Sequence, residues 1–445
     1  MIGVKETQNI FLPNFAELEK RVARDGQLWL HPLRKQAFER FVELGFPTTK
    51  LEEWKYTSVA PIARLQFQPA RYVDNLTAER LSDFPVADIA FDQECSRLVF
   101  VNGHFSRKLS SLDLPQGVKA ISLAEAVCTE NEIVKAHLAR YAKRENAAQA
   151  FVALNTAFTE DGAFIEIPDN LILDRPVFLL FVSTAGEQPM ASHPRNLIVV
   201  GNNSQASIIE GYVGIEDKIY FVNAVTEIVA GENAVVEHYK LQHESLSAFH
   251  VATVQAHQAR SSNFVSHSIS FGGALVRNDT NSTLDGEGAQ CTLNGLYLTA
   301  GNQHVDNHTM IDHARPHGTS RELYKGILDG NSTAIFNGSI VVRKDAQKTD
   351  ARQTNKNLLL SEEATVNSKP QLEINADDVK CSHGTTIGHL EEDSIFYLRS
   401  RGIGEEQSRN LLIFAFANDV LGQMKVESVR ARLEPRLLAQ LSEAR

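Results

Sequence analysis

Cys381 and His383 form the only closely spaced pair of soft and borderline metal ligands in the chain, within residues 370–384. In an extended strand, positions i and i+2 share a face with Cα atoms about 6.6 Å apart, so thiol and imidazole would project to one side. A thiolate favours zinc, copper(I) or iron–sulfur centres, and imidazole replaces thiolate on iron in some clusters. Two ligands do not complete a tetrahedral site, so the others would have to come from another chain or from a cluster's own sulfides. The same residues also read as a buried cysteine beside a turn histidine. Asp377 and Asp378, just upstream, favour an exposed or interfacial strand end.

A second row, His304, Asp306, His308, Met310 and Asp312, would line one face of a strand at period two, with His313 and His317 following. Imidazole and carboxylate suit several divalent metals. Side chains bonding to neighbours on the outer face of a solvated strand account for the row more simply. His238, His243, His250, His257 and His267 read as structural. No Gly-Lys dipeptide occurs, which removes the phosphate-cradling P-loop, and there is no His-Glu-x-x-His, no Gly-x-Ser-x-Gly and no dinucleotide fingerprint. Four cysteines, Cys95, Cys128, Cys291 and Cys381, include no Cys-x-x-Cys, the pattern of a reducing compartment.

The elements that must position these residues change character along the chain. Residues 14–60 read as helices, with Phe15, Leu18, Val22, Phe38, Phe41 and Val42 at helical spacing and Gly45-Phe46-Pro47 as a stop. Residues 47–57 read as a loop pinned to the core by Trp54 and Tyr56. A short strand is predicted at 98–101 and a helical run over 123–154, whose Lys135, Arg140, Lys143 and Arg144 form a solvated basic face. From about 163 to 383 the period becomes two. Pairs at Ala206/Ile208, Ala234/Val236, Ser262/Phe264 and Ala289/Cys291 recur in steps of 28, 28 and 27 residues, with Gly and Asn at the corners. That spacing predicts stacked coils, a parallel β-helix, with a jelly roll or large sandwich as the competitor. After His383 helices return: Asp393 is placed to cap one that Gly402 ends, a second carries Leu411, Leu412 and Phe414, and a third lies near Pro435.

A net charge of −11 and a pI near 5.8 argue against a nucleic-acid binder and against adhesion to an anionic membrane. Residues 1–15 lack a basic segment followed by an apolar run, and no apolar stretch approaches the roughly 20 residues that cross a bilayer. The reading is a cytoplasmic protein of two or three domains.

The stretch Cys381-Ser382-His383-Gly384-Thr385-Thr386-Ile387-Gly388, followed by Phe396-Tyr397-Leu398-Arg399-Ser400-Arg401-Gly402-Ile403, resembles the signature of the SufB/SufD family of iron–sulfur cluster assembly proteins. Lys348-Thr349-Asp350, residues 355–359 and residues 369–380 match its surroundings. Leu51-Glu52-Glu53-Trp54-Lys55-Tyr56-Thr57 and the N-terminal helices resemble the SufD branch rather than the longer SufB branch; residues 60–160 match more loosely.

The resemblance implies a mainly β fold, a right-handed parallel β-helix flanked by helical ends: a mostly helical region over 1–162, the β-helix over 163–385 and an ATPase-docking region over 386–445. It implies a non-catalytic scaffold pairing with a SufB-like paralogue and with two copies of the ABC-type ATPase SufC, while the isolated chain would be able to pair with itself. A nascent iron–sulfur cluster would form at the seam, with His383 ahead of Cys381 as ligand. Phe396, Arg399, Arg401, Leu411, Leu412 and Phe414 would lie in the docking surface, and helices around 395–424 would transmit ATP-driven motion into the seam. Reduced flavin goes with the family's complex, but no flavin motif is found here. The competing readings are a secreted-type β-helix polysaccharide lyase, against which the absence of a signal-peptide pattern counts, and a purely structural β-helix protein.

Overall fold

The computed structural model describes residues 4–22, 28–91, 95–129, 132–142, 149–184 and 186–443. From Ala163–Ile167 to Lys380–His389, successive strands alternate between two sheets, apart from the short extra strand Met190–Ser192, and every pairing along this path is parallel. The result is a two-walled parallel β-helix of eight coils whose strands settle at ten residues each. Parallel pairing between coils, rather than hairpins within a sheet, excludes the jelly roll and the sandwich.

The spacing is less regular than the sequence suggests. Val236 pairs with Phe264 and Phe264 with Cys291, in steps of 28 and 27, but Ala206 pairs with Val236 and not with Ala234. That first step is therefore 30 residues. The two extra residues sit in the five-residue turn 215–219 and in the eleven-residue strand Tyr220–Ala230, whereas the next coil has a four-residue turn and ten-residue strands. Turn length is invisible to a count of inward side chains.

One corner is stacked through left-handed residues. Asn170, Asn203, Asn233, Ser261, Gly288, His317 and Lys348 all have φ between 55° and 71°. Each donates its N–H to a carbonyl of the next coil, as in Asn203 to Glu232 at 2.8 Å and Asn233 to Arg260 at 2.9 Å. Asn tolerates this conformation because its short amide bonds locally, and the Asn233 and Asn203 amides also bond along the corner.

Alternation places every second residue of each strand inside. Ala206, Val236, Phe264, Cys291, Ser320, Ala351 and Cys381 form one inward column. The outer faces are buried by helices. Val4–Val22, His31–Leu44 and Ala150–Phe158 share an apolar cluster with Phe221, Phe249 and Leu275 of one sheet, and Phe15 stacks on Phe38 at 4.2 Å. Glu405–Leu421 and Glu427–Glu443 fold back over the other sheet, burying Ile413, Val420 and Leu433 with Tyr239, Ile269 and Ile327. No helix among the described residues is long and apolar enough to cross a membrane.

Two local expectations are corrected. The run predicted over 123–154 divides into Leu123–Cys128, Glu132–His137 and Ala150–Phe158. Buried Glu227 draws the N–H groups of Ala139, Tyr141 and Ala142 at 2.7–2.9 Å, which pulls the chain out of helical bonding; Lys143 and Arg144 of the expected basic face lie outside the described residues. Asp393 stands inside the first turn of Glu392–Ser400, whose cap position is Glu391. Gly402 does end that helix, with φ +86° and with Gly402 and Ile403 donating back to Arg399 and Leu398.

Candidate functional site

The last strands of the two sheets, Thr365–Ile374 and Lys380–His389, each pair on one side only, and no other described strand covers their outer edges. Lys380–His389 is exposed along most of its length, whereas Thr365–Ile374 is half-buried except at its ends. Cys381 and His383 lie here, on a strand and not in a turn, facing the interior side at the open end of the coil. Cys381 is half-buried against the apolar core, and desolvation raises its thiol pKa above the usual value. His383 is exposed. The Ser368 and Thr385 hydroxyls, 3.0 Å apart, tie the two last strands together.

His383 ends a second inward column: Ile208, His238, Ser266, Leu293, Glu322 and Gln353 precede it, coil by coil. Gln353 Nε2 donates to Glu322 Oε2 at 2.8 Å. Burial pushes the Glu322 carboxyl up to about 7, against the pull of Thr309 and Gln353. Deeper coils hold further charges that composition alone does not suggest. Glu210 Oε1 lies 3.1 Å from His238 Nε2, whose Nδ1 is 3.0 Å from Ser266 Oγ. Glu244 meets His250 at 2.7 Å, and His250 Nε2 lies 2.9 Å from Lys240 Nζ, whose pKa burial lowers to about 8. These buried groups pair with one another inside the wall. Glu210, His238 and Ser266 meet across coils, 28 residues apart at each step, and Lys240, Glu244 and His250 meet between the two walls of one coil, so only the coil register could have revealed them.

The row His304, Asp306, His308, Met310 and Asp312 does share one outward face, but that face is not solvated. Residues 51–57 lie across it. Thr57 Oγ1 donates to Asp306 Oδ2 at 2.5 Å and lies 3.0 Å from His304 Nε2, while His308 Nε2 is 3.0 Å from Asp306 Oδ1. Arg277, fully buried, bonds Asp306 at 2.7 Å, Asp279 through two nitrogens and the Glu53 carbonyl, and stacks 4.2 Å from the Trp54 ring. Burial alone would raise the Asp306 carboxyl; Arg277, His308 and Thr57 instead hold it well below the usual range. The row is thus an ion network that docks the N-terminal loop. Trp54 pins this loop, whereas Tyr56 stands exposed beside Lys55. His313 is buried, its pKa lowered by desolvation to about 4, and lies 2.9 Å from Ser320 Oγ; His317 is exposed at the corner. Among the described residues no three His, Cys, Asp or Glu side chains converge to hold a metal ion. Cys381 and His383 remain a pair.

Of the side chains expected in a docking surface, Phe396 is 72% exposed, and Arg399, Arg401 and Leu411 are also exposed. Arg399 pairs with Glu405 at 3.1 Å and Arg401 lies over Tyr397. Leu412 is half-buried, and Phe414 turns toward the β-helix with the apolar cluster of the covering helices.

Comparison with known proteins decides what this frame is. The family profile "SUF system FeS cluster assembly, SufBD core domain" matches residues 181–416, and "SufBD protein N-terminal region" matches residues 5–179. The chain belongs to the SufBD family of iron–sulfur cluster assembly proteins. A SufBD family protein of Synechocystis is 37% identical over 90% of this chain and 88% of its own length. Iron-sulfur cluster assembly protein SufD of Escherichia coli is 31% identical over 91% of this chain and 92% of its own. SufD of Bacillus subtilis is 26% identical, covering 95% of both. The SufBD core profile spans the β-helix from Phe181 onward, including the edge strand that carries Cys381 and His383, the helix Glu392–Ser400 and the helix Glu405–Leu421 as far as Phe416.

Proposed function

We propose that this chain is a non-catalytic half of a two-chain scaffold on which iron and sulfide are assembled into a cluster, the cluster being its cargo. The observation that carries this reading is the open end of the β-helix. Two ten-residue edge strands, each paired on one side only, present unpaired backbone groups, a template for strand addition by a second β-helix. An incomplete ligand set sits on that same edge. A SufB-like paralogue docked edge to edge would supply thiolate opposite His383, with Cys381 as a second thiol of the seam; a second copy of this chain can occupy the same edge when the paralogue is absent.

The energy source would be an ABC-type ATPase of the SufC kind, since this chain carries no P-loop. Its docking surface is proposed on the helical hairpin that exposes Phe396, Tyr397 and Leu411 between charged residues. Residues 405–421 join this hairpin to the wall through Lys325, which bonds the Phe416 carbonyl at 2.8 Å and pairs with Asp419. A pull on the hairpin would thereby reach the strand Thr319–Leu328 and the column that ends at His383. A cytoplasmic location is proposed with this role, and flavin remains without assigned residues.

The test is reconstitution of the complex with its paralogue and ATPase. His383→Ala is expected to reduce iron and sulfide incorporation while the complex still assembles; unchanged incorporation would overturn the ligand role.

A further inference from the structure

The wall directly beneath His383 holds two polar side chains that cluster binding at the seam does not itself require. Gln353 is the next residue down the inward column and Glu322 the one below it; they are 1% and 4% exposed. Packing does not demand polarity here, since Leu293 fills the same column one coil deeper. A carboxyl in this place is costly to keep, as its upward shift to about 7 records.

The amide is held in one orientation. Gln353 Nε2 donates to Glu322 Oε2 at 2.8 Å, and Gln353 Oε1 is buried with no hydrogen-bond partner. The opposite wall makes room for this group, because residue 338 is a glycine and a Cβ there would overlap Gln353 Nε2. An acceptor oxygen with no partner thus lies one coil from an imidazole on the same inward face. Imidazoles that bind metals generally give their other ring N–H to a carbonyl or carboxylate, which fixes tautomer and ring direction.

We propose that Glu322 and Gln353 are positioning residues for His383: Glu322 locks the Gln353 amide, whose oxygen accepts the N–H of one His383 ring nitrogen and leaves the other, unprotonated, facing the seam. This rests on His383 being a ligand for iron. Neither Glu322 nor Gln353 touches the cargo; Gln353 acts on the ring and Glu322 acts through Gln353.

The experiment records the tautomer of His383 by nitrogen NMR in the full-length chain labelled at histidine. It compares the natural protein with Gln353→Met and Glu322→Met, and with Glu322→Gln, which keeps an oxygen to receive the Gln353 amide. One dominant tautomer is expected in the natural protein and in Glu322→Gln, and a mixture in both methionine variants. In the reconstituted complex, iron incorporation at limiting iron is expected to fall about tenfold in the methionine variants and to be retained in Glu322→Gln. Methionine keeps the side-chain volume, and a melting curve establishes that each variant folds. If Gln353→Met folds and leaves the His383 tautomer unchanged, the positioning role is overturned whatever happens to iron. If His383→Ala incorporates iron normally while the tautomer still responds to Gln353→Met, it is the iron reading that fails.

Discussion

Asp306 illustrates how a single residue can look like a ligand and serve as an anchor. Its spacing from His304 and His308 is that of a metal-binding strand, yet it is satisfied by Arg277, His308 and Thr57 from three separate parts of the chain. Because its folded pKa lies below the unfolded value, its contribution is present above about pH 4 and is lost as the pH falls toward the folded value. Asp306→Asn is therefore expected to destabilise the protein at pH 7 by about 3 kcal/mol, since it strips Arg277 of a buried counter-charge. It should also flatten the loss of stability as the pH falls below about 4, as thermal melts across the acid range would show. The Cys381/His383 pair was legible in the sequence because a strand puts i and i+2 together. Glu322 and Gln353 were not, because their relation to His383 exists only across coils.

At the level of elements, the loop 51–57 is the clearest case of a segment whose role depends on what it meets. Trp54 is buried against Phe151 and under Arg277, while Glu52 reaches Lys369 on the last coil but one strand. Trp54→Ala is expected to cost about 3–5 kcal/mol. Hydrogen exchange should then rise along His304–His313, which the loop covers, before it rises in deeper coils. Lys369→Ala, which breaks only an exposed pair, should change stability by less than about 1 kcal/mol. Sequence periodicity found both helices that precede this loop, since Phe15, Phe38 and Phe41 repeat at helical spacing, although the first begins at Val4 and not near residue 14. It failed over 123–154, where the buried carboxylate of Glu227, some 85 residues away, competes for the backbone N–H groups.

The whole molecule is a β-helix closed along its length and open at one end. Its sides are covered by helices, but the final edge is bare and carries Ile374 and Ile387, both exposed. Lysine at these two positions blunts an edge at little cost to the monomer. Ile374→Lys with Ile387→Lys is expected to leave the melting of the isolated chain within about 0.5 kcal/mol. If a SufB-like paralogue docks on this edge as proposed, the same variant should abolish co-elution with it; retained pairing would place the interface elsewhere.

What the amino-acid sequence determined by itself was the architecture and the pairing of Cys381 with His383 on one strand face. Alternation at period two, corners rich in Gly and Asn, and a Cys-x-His on a strand end are all local patterns, set by φ/ψ preference and side-chain direction. What the tertiary structure decided was register: that Ala206 meets Val236, that the His304 row is roofed by Thr57 and Trp54, and that His383 stands over Gln353 and Glu322. These contacts join residues tens to hundreds of positions apart. Their geometry follows from turn lengths and packing between coils, which leave no repeating mark in the chain.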